Sequence, residues 1–142
     1  MNRRQFLKTS SAVTLAAGTG VWVSRAQGSP NSRLNLGMIG TGDRAQALLG
    51  EILSLADKHN VQVTAVCDVW QKNLQSTAAK IKQKSGAEPR KFTRFGEVLG
   101  LNDIDAVVIA TPDATHAPIL IAALQASKDV YVEKPMSIEV PS

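Results

Sequence analysis

The sequence predicts an α/β fold, a doubly wound parallel sheet covered by helices on both faces. Two observations carry this. Short β-branched apolar runs alternate along the chain with segments whose apolar residues recur at helical spacing, and that β-α-β order with right-handed crossovers implies a parallel sheet between helix layers. A length of 142 residues leaves room for about one domain.

The chain opens on Arg3-Arg4-Gln5-Phe6-Leu7-Lys8, followed by a weakly apolar run from Ala12 to Val23. That run is much shorter than the roughly 20 apolar residues of a permanent membrane span. Ser24-Arg25-Ala26 offers small residues at the two positions a signal peptidase reads, so cleavage after Ala26 is expected. The paired arginines resemble a twin-arginine (Tat) signal, which implies delivery to the periplasm or the medium as a folded protein. Residues 1–26 are thus read as an address and residues 27–33, with Gly28, Ser29 and Pro30, as a linker.

The domain is expected over residues 34–138. Leu34 to Ile39 reads as a buried strand, and Ala45, Leu48, Leu49, Ile52 and Leu55 fall on one face of a helix from about Asp43 to Lys58. Val61 to Cys67 is a second strand. Trp70 to Lys84 is a helix with the apolar stripe Leu74, Ala78 and Ile81, its Lys80, Lys82 and Lys84 forming a solvated end near the negative pole of the dipole. Arg90 to Thr93 and Phe95 to Leu99 predict a short strand and a short helix. Ala106 to Ala110 is a fourth, uncharged strand, and Thr115 to Ser127 a helix with Pro118 in its first turn, where the missing N–H is harmless. Val130 to Val132 is the fifth strand. The doubly wound order is 3-2-1-4-5, with ligand expected where strands 1 and 4 diverge.

Charge narrows the function. The 16 basic residues exceed the 12 acidic ones, for a formal +4. Residues 1–26 hold Arg3, Arg4, Lys8 and Arg25 and no acid, so the rest of the chain is balanced. No basic cluster interleaved with aromatics is present, which argues against nucleic acid as a partner. Cys67 is the single cysteine, which excludes an internal disulfide and a cysteine-based zinc cluster, and no metal site is expected. Its simplest role is that of a small buried residue at a strand end.

The loops after the strands carry the chemistry. Gly40-Thr41-Gly42-Asp43-Arg44-Ala45 fits G-x-G-x-x-G/A between a strand and a helix. Gly40 makes the tight turn, Gly42 admits a pyrophosphate to the backbone, and Ala45 lets helix pack on strand, with helix-start N–H groups facing the anion. This is the Rossmann fingerprint. Asp68 ends strand 2, where a carboxylate accepts hydrogen bonds from the adenosine ribose and repels a 2′-phosphate, so NAD is favoured over NADP; the competing use is a cap for the following helix. Thr111 and Pro112 form a wall beside the cofactor on the same carboxyl edge. His116 either approaches the cofactor or bonds backbone. After strand 5, Glu133-Lys134-Pro135 brings an ammonium toward the nicotinamide ribose and a substrate hydroxyl, with Pro135 restricting Lys134 to extended geometry; a surface ion pair and a turn is the alternative.

Gly37-Met38-Ile39-Gly40-Thr41-Gly42, Val66-Cys67-Asp68, Ala110-Thr111-Pro112-Asp113 with His116, and Val130 to Pro135 together resemble the Gfo/Idh/MocA oxidoreductases. The resemblance implies hydride transfer between nicotinamide and a sugar or cyclitol hydroxyl, with Lys134 in the active site. Some relatives implied by the same likeness are NAD-using glycosidases; a non-catalytic dinucleotide-binding fragment is the remaining alternative. Members of the family continue into an open-faced α/β substrate domain. Here residues 139–142 close the sequence, so a sixth strand and that domain are expected to be absent. Strand 5 is then an uncovered edge, which predicts self-association.

Overall fold

The computed structural model describes residues 33–138. The expectations for the address, most of the linker and residues 139–142 fall outside the described residues. Five parallel strands form one sheet in the order β3-β2-β1-β4-β5, comprising β1 (Leu34–Ile39), β2 (Val61–Cys67), β3 (Arg90–Phe92), β4 (Ala106–Ile109) and β5 (Asp129–Val132). The connections are α1 (Asp43–His59), α2 (Gln71–Ser85), α3 (Phe95–Leu99) and α4 (His116–Gln125), the last preceded by a 3₁₀ turn at Asp113–Thr115.

Two apolar layers sandwich the sheet. Leu36, Met38, Val63, Val66 and Val108 meet Ala45 and Leu49 of α1 and Leu74, Ala78 and Ile81 of α2 on one face. Ile39, Ala65, Cys67, Val107 and Ile109 meet Val98 and Leu99 of α3 and Ile119 and Ala123 of α4 on the other. Gly37 is needed where α3 crosses, since a Cβ there would lie 2.7 Å from Val98 Cγ1.

Two details depart from simple periodicity. Leu36 pairs with Val63 but Gly37 with Ala65, leaving Thr64 as the extra residue of a bulge. The bulge flips the alternation of β2, so Val63 and Val66 share a face while Ala65 and Cys67 take the other. Thr64 buries its hydroxyl oxygen without a hydrogen-bond partner. On α1, Leu55 is exposed, contrary to expectation, and Leu53 packs on the core in its place.

The helix ends also shift. Trp70 is the N-cap of α2 and not its first residue, and α4 spans His116–Gln125, ending before Ser127, which turns to φ +56°. Strands β3 and β4 each stop one residue earlier than expected, and β5 starts one earlier, at Asp129. Lys80, Lys82 and Lys84 are exposed, with Lys82 paired to Glu88 at 3.0 Å.

Register aligns the functional loops. Phe92, Cys67, Ile39, Ile109 and Val132 lie opposite one another in a row across the carboxyl end of the sheet. Each following residue therefore leaves the sheet at the same level. The ladder reaches one step further, with the N–H groups of Asp68, Gly40, Ala110 and Glu133 donating to Phe92, Cys67, Ile39 and Ile109 at 3.1, 2.9, 2.9 and 2.9 Å.

Candidate functional site

A cleft of about 660 Å³ opens at this carboxyl edge, where β1 and β4 are neighbours but their connections leave in opposite directions. The glycine loop forms its floor. Gly40 has φ +87°, and a Cβ there would stand 2.5 Å from the carbonyl oxygen of Ala110, so both conformation and space require glycine. Gly42 is different: its backbone is extended, and a Cβ would meet nothing within 4 Å, because it faces open space. It is also the N-cap of α1, and no side chain caps that 17-residue helix. The first-turn amides are thus available to an anion.

The cleft brings together Gly40, Thr41, Gly42, Asp43, Arg44, Asp68, Thr111 and Pro112, all expected from the sequence. Asp68 is already engaged by its own chain. Its Oδ2 accepts from the Thr41 N–H at 2.8 Å and the Thr41 hydroxyl at 2.6 Å, and its Oδ1 accepts from the Trp70 N–H at 2.8 Å. The ribose and helix-cap alternatives are therefore not exclusive: the carboxylate binds the start of α2 while it lines the cleft. Gln46 completes the bracing, donating to the Thr41 carbonyl at 3.1 Å and sharing a 2.6 Å hydrogen bond with the buried Thr77 hydroxyl.

The walls include residues the sequence reading missed. Val69, Trp70 and Asn73 follow β2, Thr93 and Phe95 follow β3, Thr115 ends the 3₁₀ turn, and Pro118 and Ile119 belong to the start of α4. Val69 is 86% exposed and Trp70 58%, an unusual pair of large apolar side chains left in water at the mouth of a cleft. Their place directly behind Asp68 was the available signal.

Three expected site residues do not line the cleft. His116 is buried, with Nδ1 2.7 Å from the Pro135 carbonyl oxygen and Nε2 2.8 Å from that of Thr111. It holds the loops after β4 and β5 together through their backbones. Glu133 is 6% exposed and pairs with Arg44 at 2.8 Å, with the Tyr131 hydroxyl donating to the same oxygen at 3.1 Å. Arg44 holds the Glu133 carboxyl below its ordinary range, and Glu133 raises the Arg44 guanidinium in return. Lys134 is exposed on the same edge, and the Lys134–Pro135 peptide bond is cis.

Cys67 is among the residues lining the cleft and is buried. Desolvation, with smaller contributions from the charges of Asp68 and Glu97, pushes its thiol up to about 11, so it stays protonated. Among the described residues no group of His, Cys, Asp or Glu is placed to hold a metal ion, and no helix is long and apolar enough to cross a membrane.

An uncapped helix start beside a space-requiring glycine, apolar walls for flat rings and a carboxylate at the end of β2 fit a dinucleotide. Comparison with known proteins agrees. Residues 34–141 match the model of the oxidoreductase family with NAD-binding Rossmann fold, Gfo/Idh/MocA, and residues 1–20 match the twin-arginine translocation signal. A glycosyl hydrolase family 109 protein of Solibacter usitatus is 32% identical over 94% of this chain and 33% of its own length. One from Stenotrophomonas maltophilia is 35% identical over 94% of this chain and 29% of its own. The alpha-N-acetylgalactosaminidase of Shewanella oneidensis is 28% identical over 99% and 35%. The chain thus spans about a third of the length of these curated relatives.

Among solved structures, the WlbA dehydrogenase from Bordetella pertussis, in complex with NADH and UDP-GlcNAcA, superposes with a TM-score of 0.65 at 29% identity, over 76% of this chain and 31% of that one. The myo-inositol dehydrogenase from Lactobacillus casei shares the fold, with a TM-score of 0.67 at 22% identity over 75% and 30%. The chain carries a Tat signal sequence and belongs to the Gfo/Idh/MocA oxidoreductase family, of which residues 34–141 are the NAD-binding Rossmann domain.

Proposed function

We propose that this chain is the cofactor-binding part of an exported glycosidase that works by transient oxidation of its sugar. The observation that carries this is the likeness to glycosyl hydrolase family 109 proteins over 94–99% of the chain, leader included. The Tat signal supports export to the periplasm, with residues 1–26 removed, 27–33 as linker and 34–138 as the domain. Bound NAD would supply a reversible hydride acceptor for a sugar carbon, the chemistry that a transient oxidation needs.

Each group of the site has a part in that reading. The α1 amides beside Gly40 and Gly42 take the pyrophosphate, with Asp43 and Arg44 at the same helix start, and Asp68 takes the adenosine ribose. Thr111 and Pro112 wall the dinucleotide. His116 and the Arg44–Glu133 pair hold the β4 and β5 loops in place, so that the Lys134 ammonium projects from a fixed edge to orient and polarise the substrate hydroxyl. The rest of the sugar pocket belongs to the part of such enzymes beyond the matched third. A dehydrogenase with net turnover of a sugar or cyclitol is the second reading, supported by the dehydrogenases among the solved structures.

The test is a fusion of this chain to the C-terminal part of the Stenotrophomonas maltophilia relative, supplied with NAD and an aryl α-N-acetylgalactosaminide. Release of the aryl alcohol without net NADH, and its loss in Lys134→Ala, is expected. Stoichiometric NADH would favour the dehydrogenase. Neither product from a fusion that binds NAD would refute the redox reading.

A further inference from the structure

The bracing of Asp68 has a consequence for cofactor choice. A carboxylate offers about four acceptor positions, two on each oxygen. Thr41 fills both positions on Oδ2, and the Trp70 amide fills one on Oδ1. One position on Oδ1 is left for a ligand. Thr41 itself is 1% exposed, its carbonyl is held by Gln46, and its hydroxyl points at Asp68. The carboxylate in turn cannot rotate without breaking a 2.6 Å hydrogen bond and stranding a buried hydroxyl.

We propose that Thr41 is a positioning residue that sets preference for NAD over NADP, by locking the Asp68 carboxylate at the cleft with a single open acceptor position. This rests on the placement of NAD in the cleft. A ribose hydroxyl donates to the open position on Oδ1. A 2′-phosphate has no proton to donate there and meets a fixed negative charge. Neither of the next two side chains, Val69 and Trp70, brings a cation to offset it. Without the Thr41 hydroxyl the carboxylate is held only by the residue-41 and Trp70 amides, one on each oxygen, and loses part of the register that favours the ribose hydroxyl.

The experiment compares the dissociation constants of NADH and NADPH, by cofactor fluorescence, for the chain and for Thr41→Val and Thr41→Ser, with thermal unfolding as the check on folding. Thr41→Val keeps the shape and removes the donor. It is expected to weaken NADH by about tenfold, the equivalent of one hydrogen bond to a charged group, while NADPH changes little, so that the ratio of the two constants falls about tenfold. Thr41→Ser keeps the hydroxyl and the ratio. Should Thr41→Val not fold, Thr41→Ala, which also removes the donor, is read in the same way.

An unchanged ratio in the folded donorless variant, an equal collapse in Thr41→Ser, or a parent chain that binds both cofactors alike would overturn the proposal. A parent chain that binds neither would overturn the placement of the cofactor and the proposal with it.

Discussion

On the proposed reading, Gly40 serves folding and Gly42 serves binding, and the two can be tested one against the other. Gly40→Ala adds a Cβ at φ +87°, in the region L-residues avoid at roughly 1–2 kcal/mol. That Cβ would lie 2.5 and 2.7 Å from the Ala110 carbonyl oxygen and carbon and 2.9 Å from Thr111 Cγ2. Most of this obstacle is backbone, tied through the Ala110 N–H to Ile39 in the middle of the sheet, so it yields only by moving β4. Overpacking of that kind costs roughly 1–3 kcal/mol. The sum is about 2–5 kcal/mol, against the 5–15 kcal/mol typical of whole domains. At roughly 4 °C per kcal/mol, the melting temperature should fall by about 8–20 °C. Gly42→Ala adds its Cβ to open space at φ −71° and ψ −170°, a conformation any residue adopts. Stability should hold or rise by about 0.4–1 kcal/mol through the unfolded chain, while the methyl blocks the approach of a pyrophosphate and NADH binding is lost. Thermal unfolding by circular dichroism and NADH fluorescence read the two effects on the same samples. If Gly40→Ala melted with the parent, or Gly42→Ala unfolded early, the two glycines would not divide folding and binding between them.

Asp68→Ala should weaken NAD by about 1–3 kcal/mol and NADP less, because repulsion goes with the hydrogen bond; calorimetry showing equal losses would reduce Asp68 to a structural role. Glu133 has a folded pKa lowered by Arg44, so its pair stabilises the fold above the ordinary glutamate value of 4.5 and is lost as pH falls through the lowered one. Glu133→Gln should therefore flatten the acid limb of the stability curve, and an unchanged limb would show the pair to be idle. Arg3→Lys with Arg4→Lys should leave precursor in the cytoplasm with the domain folded, as read by fractionation and immunoblot; an undiminished periplasmic yield would remove the export reading. Cys67, with its thiol pushed up to about 11, should resist alkylation at neutral pH until the domain is unfolded; rapid labelling of native protein would place it outside the core.

The alternation of strands and helices was legible because each element announces itself locally: an uncharged run such as Ala106 to Ile109 has no other stable use, and G-x-G-x-x-A between strand and helix has few. The bulge at Thr64 was hidden because β2 is buried on both faces. Val61, Val63, Ala65 and Cys67 alternate with Gln62, Thr64 and Val66 as in an unbroken strand, so nothing in the sequence marks the flip. Leu53 and Leu55 both lie near the edge of the helical stripe, and only the neighbouring layer decides between them. Cleft residues such as Phe95 and Ile119 come from elements far along the chain, and their shared wall exists only after the sheet has set its register. His116 was legible as a polar residue in an apolar helix, but its partners are two backbone carbonyls, and backbone carries no sequence signal.

The pairs that brace the site show why its motifs occur together. The glycine loop is grasped on the β2 side by Asp68 through Thr41, on the β5 side by Glu133 through Arg44, and on the α2 side by Thr77 through Gln46. Glu133 is nearly inaccessible, and a carboxylate so placed is tolerated because Arg44 and Tyr131 satisfy it. Arg44 is in consequence already neutralised. It is not a spare cation for a phosphate, and Asp43 and Asp68 beside it add negative charge at the same end of the cleft. On the proposed reading, the attraction for a pyrophosphate comes from the uncapped amides of α1, at the end of a loop held by these three grips. A loop held in this way has little conformational freedom left to lose on binding. On the proposed reading, the acidic ends of β2 and β5 serve the dinucleotide by immobilising the backbone that would receive it, although both lie outside the glycine fingerprint in sequence.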